Sequence, residues 1–305
     1  MSATVMRKVR RAEMSEFSRY HPIVTFVYFL FAILLTCVNF NPIFIGISFF
    51  SAFTFCAVLK GKKTLLKNLV LMPFLLVMMA AINPAFNHRG ITILAYLPSG
   101  NPLTLESICF GFMAAGMLLS VMLWFSCFNE IMTSDKLIYI FGRIIPSLSL
   151  VFSMTLRAVP RFAEQFKRVS RAQKCVGRSM TEGSLLKRIK SGISIFSVMI
   201  TWSMENAIET ADSMKARGFG TSKRTAFSVY TYTKRDKRAL LLIILLIAYM
   251  AFGVTSGAFE FNCFPYLKME KFSLFSLPFY MAELIYLFIP TLIEISEFRK
   301  WKCLN

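Results

Sequence analysis

Six long apolar stretches, separated by short polar segments, constrain this chain more than anything else in it: Ile23–Phe40, Ile43–Leu59, Leu69–Asn83, Ser107–Phe128, Ala239–Ala258 and Phe272–Thr291. A helix rises about 1.5 Å per residue, so about 20 apolar residues cross a hydrocarbon core roughly 30 Å thick. Glu283 is the one charged side chain within all six. Backbone groups in lipid have no water to bond to, which leaves the α-helix as the fold for segments of this length. Composition agrees, with 56% hydrophobic residues against 17% charged. Soluble domains carry about 25% charged residues, so a soluble enzyme domain, a disulfide scaffold and a disordered chain are excluded. The fold class is an all-α polytopic membrane protein.

Orientation follows from the basic residues. Of the 35 Lys and Arg, 32 fall in alternate aqueous segments: Met1–Pro22, Lys60–Asn68, Asn129–Arg238 and the C-terminus. Cytoplasmic segments are the basic ones, so both termini and the long segment are expected inside a bacterial or archaeal plasma membrane. The N-terminus is polar and basic before its first apolar run, and no cleavable signal is expected. The net charge of +19 tracks this membrane pattern, which argues against nucleic acid as the partner.

Three regions result: 1–128 with four spans, 129–238 cytoplasmic, and 239–305 with two spans and a cytoplasmic tail. A loop as long as Asn129–Arg238 is usually structured or functional. It holds two further apolar stretches, between Arg143 and Arg157 and between Lys190 and Glu205. Both are too short to span and are expected to be buried or interfacial helices. One amphipathic helix is predicted from about Pro160, tolerated in a first turn, to Gly177. Arg157, Arg161, Glu164, Arg168, Arg171, Cys175 and Arg178 share one face of it, and Phe162 and Phe166 lie on an adjacent apolar face. Such a face suits solvent, anionic lipid or a protein partner. A second helix is predicted from about Ser194 to Arg217, some 24 residues or about 36 Å, with Trp202 and Met204 on its apolar surface. Lys215 and Arg217 complement the macrodipole at its end, and Gly218 fits a left-handed cap.

Other chemistry is sparse. The seven cysteines form no C-x-x-C and read as reduced, small hydrophobes. His21 and His88 fall on opposite membrane sides, so a histidine metal site or catalytic triad is not expected. Glu205, Glu209 and Asp212 share a face. They are expected opposite basic helices rather than around a metal, since hard cations want more oxygens than one helix supplies. No metal or cofactor is expected. Gly61-Lys62-Lys63-Thr64 lacks the upstream glycine and the Ser/Thr placement of a Walker A loop, so ATP hydrolysis would belong to partners. Gly111, Ala115, Gly116 and Ser120 permit close helix packing, internal or against another subunit.

The run Thr210-Ala211-Asp212-Ser213-Met214-Lys215-Ala216-Arg217-Gly218-Phe219-Gly220 resembles the second Ala-Arg-Gly motif of the transmembrane T component of energy-coupling-factor transporters, the family that includes the cobalt-transport Q proteins. Asn83-Pro84-Ala85-Phe86-Asn87-His88, Thr104-Leu105-Glu106, Thr133-Ser134-Asp135-Lys136-Leu137 and Arg157-Ala158-Val159-Pro160-Arg161 also fit, in that order. The resemblance implies a scaffold and coupling subunit of an importer for a vitamin or a metal ion of the cobalt and nickel class. Two cytosolic ABC ATPases and a substrate-binding membrane S component would be its partners, beside the lipid bilayer. It implies ATPase docking through Ala216, Arg217 and Gly218, and a degenerate first motif at Cys175, Val176 and Gly177 that lacks its arginine. Arg171, Lys174 and Arg178 are candidates to replace it. Phe162, Phe166, Trp202 and Met204 would hold the S component.

Two rival readings remain from the residues alone. A secondary transporter or channel would need an intramembrane ionisable group; Glu283 is the candidate, and pairing with a neighbouring hydroxyl is its plainer explanation. A lipid-acting membrane enzyme would use Glu205, Glu209 and Asp212.

Overall fold

The computed structural model describes residues 15–61, 74, 76–84, 86–87, 90–96, 102–178, 184–221, 230–256, 261–262, 268–269 and 276–304. The chain divides into two compact units, Met1–Leu137 with Tyr230–Asn305, and Ile138–Val229.

In the first unit a 3-10 turn, Phe17–Arg19, leads to helices α1 (Pro22–Val38), α2 (Pro42–Lys60) and α3 (Leu105–Ile131). Residues 76–84 are also helical. Helices α7 (Lys234–Thr255) and α8 (Leu277–Leu304) complete it. Their starts are local chemistry. Proline occupies the first turn of α1 and α2, where no N–H is missed; the His21 imidazole accepts from Ile23 N–H at 3.3 Å and the Asn41 side chain from Ile43 N–H at 3.0 Å. A reciprocal capping box of Thr233 and Asp236 opens α7.

Helices α2, α3, α7 and residues Leu277–Ser296 of α8 are long and apolar enough to cross a membrane, and α1 has 17 residues. With the family match given below, this makes the chain a multi-pass membrane protein. Much of the expected third span, with Pro73, lies outside the described residues, as do His88, Cys263 and Lys62–Thr64.

Aromatic packing forms the centre. Phe17, Tyr28, Phe29, Phe55 and Trp124 are fully buried, and Tyr28 meets Trp124 edge-on at 6.0 Å. Because lipid tails are as apolar as leucine, polar ties add specificity inside such a bundle. Thr36 Oγ1 and Ser48 Oγ lie 2.7 Å apart, and Trp124 Nε1 donates to Ser48 Oγ at 3.1 Å. Tyr28 OH and Ser51 Oγ both donate to the Leu287 carbonyl, while Tyr286 OH donates to the Tyr28 carbonyl.

Small residues on α3 prove to pack internally. A Cβ on Gly111 would stand 3.2 Å from Ala80 Cα, and one on Gly116 would stand 3.2 Å from Ile45 Cγ2. At the start of α3 the buried Glu106 accepts from Thr92 N–H and Thr92 Oγ1, tying down the hairpin of β1 (Ile93–Tyr96) and β2 (Pro102–Thr104). Short strands β3 (Phe261–Asn262) and β4 (Lys268–Met269) pair between α7 and α8.

Glu283 corrects an expectation. It is fully buried, and neither carboxyl oxygen has a hydrogen-bond partner among the described residues. The nearby Tyr280 OH accepts from Asn41 Nδ2 at 3.0 Å.

Lys136, on helix α4 (Ser134–Ile144), reaches back across the chain. Its ammonium donates to the Ser18 carbonyl at 2.6 Å, to Ser18 Oγ at 2.9 Å and to the Ile131 carbonyl at 3.1 Å. Burial pushes its pKa down to about 8. The unfolded lysine titrates near 10.4, so between those values the unfolded state binds more protons and stability rises with pH. Below about pH 8 both states are charged and the folded one carries the whole burial cost. Between pH 8 and 10 the apparent melting temperature of the wild type should therefore rise relative to Lys136→Met. Parallel curves would disprove it.

Candidate functional site

The second unit is dominated by two long helices, α5 (Pro146–Cys175, 30 residues) and α6 (Leu185–Ala216, 32 residues). Both start earlier than the sequence suggests. Pro160 lies inside α5, with Pro146 in its first turn. An interior proline deletes one hydrogen bond and crowds the carbonyl four residues back, so Leu156 loses a partner while the helix continues. Similarly, the stretch between Lys190 and Glu205 is the middle of α6, not a separate element. At 1.5 Å per residue α6 is about 48 Å long rather than 36 Å. The first stretch is exposed in this chain, at Val151, Phe152, Met154 and Leu156, whereas the second buries Ser191, Ile195 and Met199 and exposes Ile193, Phe196 and Ile200.

The helices meet where Phe162 packs edge-on against Trp202, with ring centroids 5.2 Å apart. Phe162 precedes Cys175 by 13 residues and Trp202 precedes Ala216 by 14. Each helix therefore runs about 20 Å beyond the contact before it ends.

The two ends close in the same way. In α5, Gly177 N–H donates to the Lys174 carbonyl at 3.0 Å and Arg178 N–H to the Gln173 carbonyl at 2.9 Å. In α6, Gly218 N–H donates to the Lys215 carbonyl at 2.9 Å and Phe219 N–H to the Met214 carbonyl at 3.0 Å. This is the paired closure of a Schellman motif, which needs a left-handed residue just past the cap. Gly177 and Gly218 supply it, each with φ of 78°. The geometry aligns Val176 with Arg217 and Arg178 with Phe219. One end reads Cys-Val-Gly-Arg and the other Ala-Arg-Gly-Phe, so arginine and apolar residue have exchanged places about the glycine.

These ends are open. Cys175, Val176, Gly177 and Arg178 are exposed, as are Ala216, Arg217 and Phe219; Gly218 is half-buried. Arg171 and Lys174 are also exposed, but they lie within the body of α5. Sequence reasoning missed most of the apolar surface. Ile189, Ile193, Phe196, Ile200, Met204 and Ile208 recur at spacings of 4, 3, 4, 4 and 4 and are all exposed, a stripe along α6. On α5, Phe152, Leu156, Val159, Phe162 and Phe166 make a second exposed stripe. The periodicity was visible, but Lys190 and Arg157 interrupt it and suggested boundaries. Exposed apolar area of this extent marks an interaction surface.

Glu205, Glu209 and Asp212 are exposed and, among the described residues, form no ion pair. Among the described residues no cluster of His, Cys, Asp and Glu is arranged to hold a metal.

Residues 14–227 match the family model of the cobalt transport protein, CbiQ. The energy-coupling factor transporter transmembrane protein EcfT of Lactobacillus helveticus is 32% identical over 113 residues, 37% of this chain and 41% of that protein. The EcfT of Streptococcus equi subsp. equi is 32% identical over 100 residues, 32% of this chain and 37% of that protein. An uncharacterized protein of Mycoplasma pneumoniae, the MG181 homolog, is 29% identical over 179 residues, 55% of this chain and 41% of its own length. The chain spans about two fifths of the length of these curated relatives.

Proposed function

The chain belongs to the cobalt transport protein family, and from that premise we propose that it is the transmembrane coupling subunit of an energy-coupling-factor importer. Two cytosolic ATPases engage the ends of α5 and α6, and a separate substrate-binding membrane subunit rests on the exposed apolar stripes. Both termini face the cytoplasm, and the cargo is a vitamin or a metal ion such as cobalt or nickel. The observation that carries this reading is the pair of identically closed, solvent-open helix ends, each about 20 Å past the Phe162–Trp202 contact. A partner that closes on two such ends pulls on rigid levers. The relatives named as EcfT support the assignment. A mild-detergent pull-down of the tagged protein tests it. Two nucleotide-binding subunits and a small hydrophobic protein should co-purify; a lone chain that still moves solute in liposomes would refute it.

Within this reading Arg178 takes the place of the missing first-motif arginine. It stands two residues past Val176, off the helix end, where its guanidinium fork can meet partner carboxylates and carbonyls. Arg178→Ala should weaken ATPase capture about tenfold, within the range of a moderate interface residue. Val176→Arg in that background should restore it, while Arg171→Ala and Lys174→Ala leave capture unchanged. A loss of capture in Arg171→Ala or Lys174→Ala equal to that in Arg178→Ala would assign the role elsewhere.

A further inference from the structure

A cavity of about 430 Å³ lies within the first unit, between the Phe17–Arg19 turn, the starts of α1 and α7 and the middle of α8. Its lining mixes two chemistries: Phe17, Val24, Ile243 and Ile289 give it an apolar floor, and Lys234, Arg235 and Arg238 are cationic.

The nearby carboxylates are committed elsewhere. Glu16 pairs with Arg19 and lies 3.7 Å from Arg235. Asp236 accepts from the Thr233 hydroxyl and from the His21 and Thr233 N–H groups. Glu294 accepts from Ser15 Oγ and the Phe17 N–H. Arg235 is held over the Tyr20 ring at 4.3 Å, so it serves as a wall. Lys234 and Arg238, both exposed, have no carboxylate partner among the described residues. They also stand in the first turns of α7, where the macrodipole is positive. An anion placed between the two cations would be favoured there by both charges and by the helix end.

Lys234, Arg238 and Leu242 are spaced at i, i+4 and i+8, one face of α7 that turns from cationic to apolar over about 12 Å. Leu242 is exposed and belongs to a helix long and apolar enough to span the bilayer. This polarity gradient has the pattern of one phospholipid, with its phosphate at the two cations and an acyl chain running along Leu242 over the apolar floor.

We propose that this cavity is a binding site for a single anionic phospholipid. A soluble anion would satisfy Lys234 and Arg238 but leave the apolar floor unfilled. A zwitterionic lipid would fill the floor but bring its own cation to the basic rim.

Full-length protein in nanodiscs of mixed phosphatidylcholine and phosphatidylglycerol, read by native mass spectrometry, tests the site. The wild type should retain phosphatidylglycerol in preference to phosphatidylcholine. Each cation at a charged surface contributes roughly a fivefold preference, so Lys234→Gln/Arg238→Gln should retain about twenty-five-fold less. Ala239→Trp keeps every cation but fills the cavity, and it should also lose the lipid. Unchanged retention in either variant overturns the site. So does an equal loss in Lys187→Gln/Arg188→Gln on α6, which would reduce the effect to general surface charge. Displacement of the bound lipid by inorganic phosphate alone would make it a free-anion site and overturn the lipid.

Discussion

On the proposed coupling role, Arg217→Glu should release the ATPases, with capture weakened at least about thirtyfold, the scale of an interface hot spot. Arg217 sits at the C-cap of α6 and is exposed, so its loss leaves the chain's own packing untouched. The reversal acts three ways in the same direction. It removes a planar fork that pairs with carboxylates and carbonyls, and it places a carboxylate against the negative end of the helix dipole. It would also bury an unpaired charge in the partner's groove, which is strongly unfavourable. Arg217→Lys keeps the charge without the fork and should fall between the two. Co-purification in mild detergent and uptake in cells measure the effect, with circular dichroism confirming that α6 persists. Normal capture by Arg217→Glu would remove this residue from the docking surface and reduce the motif to a helix cap.

Trp124→Ala should be the most damaging single change to the fold. The side chain is fully buried, with Tyr28, Phe29 and Phe55 as ring neighbours at 6.0, 6.2 and 6.4 Å, and it donates to Ser48. Large-to-small changes of this kind cost about 3–5 kcal/mol, partly as a cavity that neighbours fail to fill. In a bilayer the packing contribution dominates over water release, so about 3 kcal/mol is the expected loss. Trp124→Phe restores most of the volume but not the N–H, and should cost less. Apparent melting temperature and monodispersity in detergent distinguish the three proteins. A Trp124→Ala variant as stable as wild type would mean the aromatic centre is not the core.

Much of the fold was legible because its signals are local. Apolar run length marks a span, whereas the caps that open α1, α2 and α7, at His21-Pro22, Asn41-Pro42 and Thr233 with Asp236, stand just outside the apolar runs and went unread. Gly218 announced the end of α6, and its φ of 78° is what that position requires. Gly177 likewise marked the end of α5, but with valine before it and the arginine after it, its likeness to the other end was legible only as a damaged motif. The boundaries that failed did so for one reason: Arg157, Pro160 and Lys190 look like stops locally, yet the helices continue through them.

The sequence alone determined the fold class, the apolar spans, the family resemblance and the position of the Ala-Arg-Gly motif, because each is written within a few consecutive turns. Only the tertiary structure decided that Gly111 packs inside the chain, that Lys136 holds Ser18, and that Glu283 has no hydrogen-bond partner among the described residues. It also decided that the ends of α5 and α6 are geometrically alike. Those facts join residues many turns apart, and in a membrane protein hydrophobicity does not foretell them, since lipid and core are equally apolar.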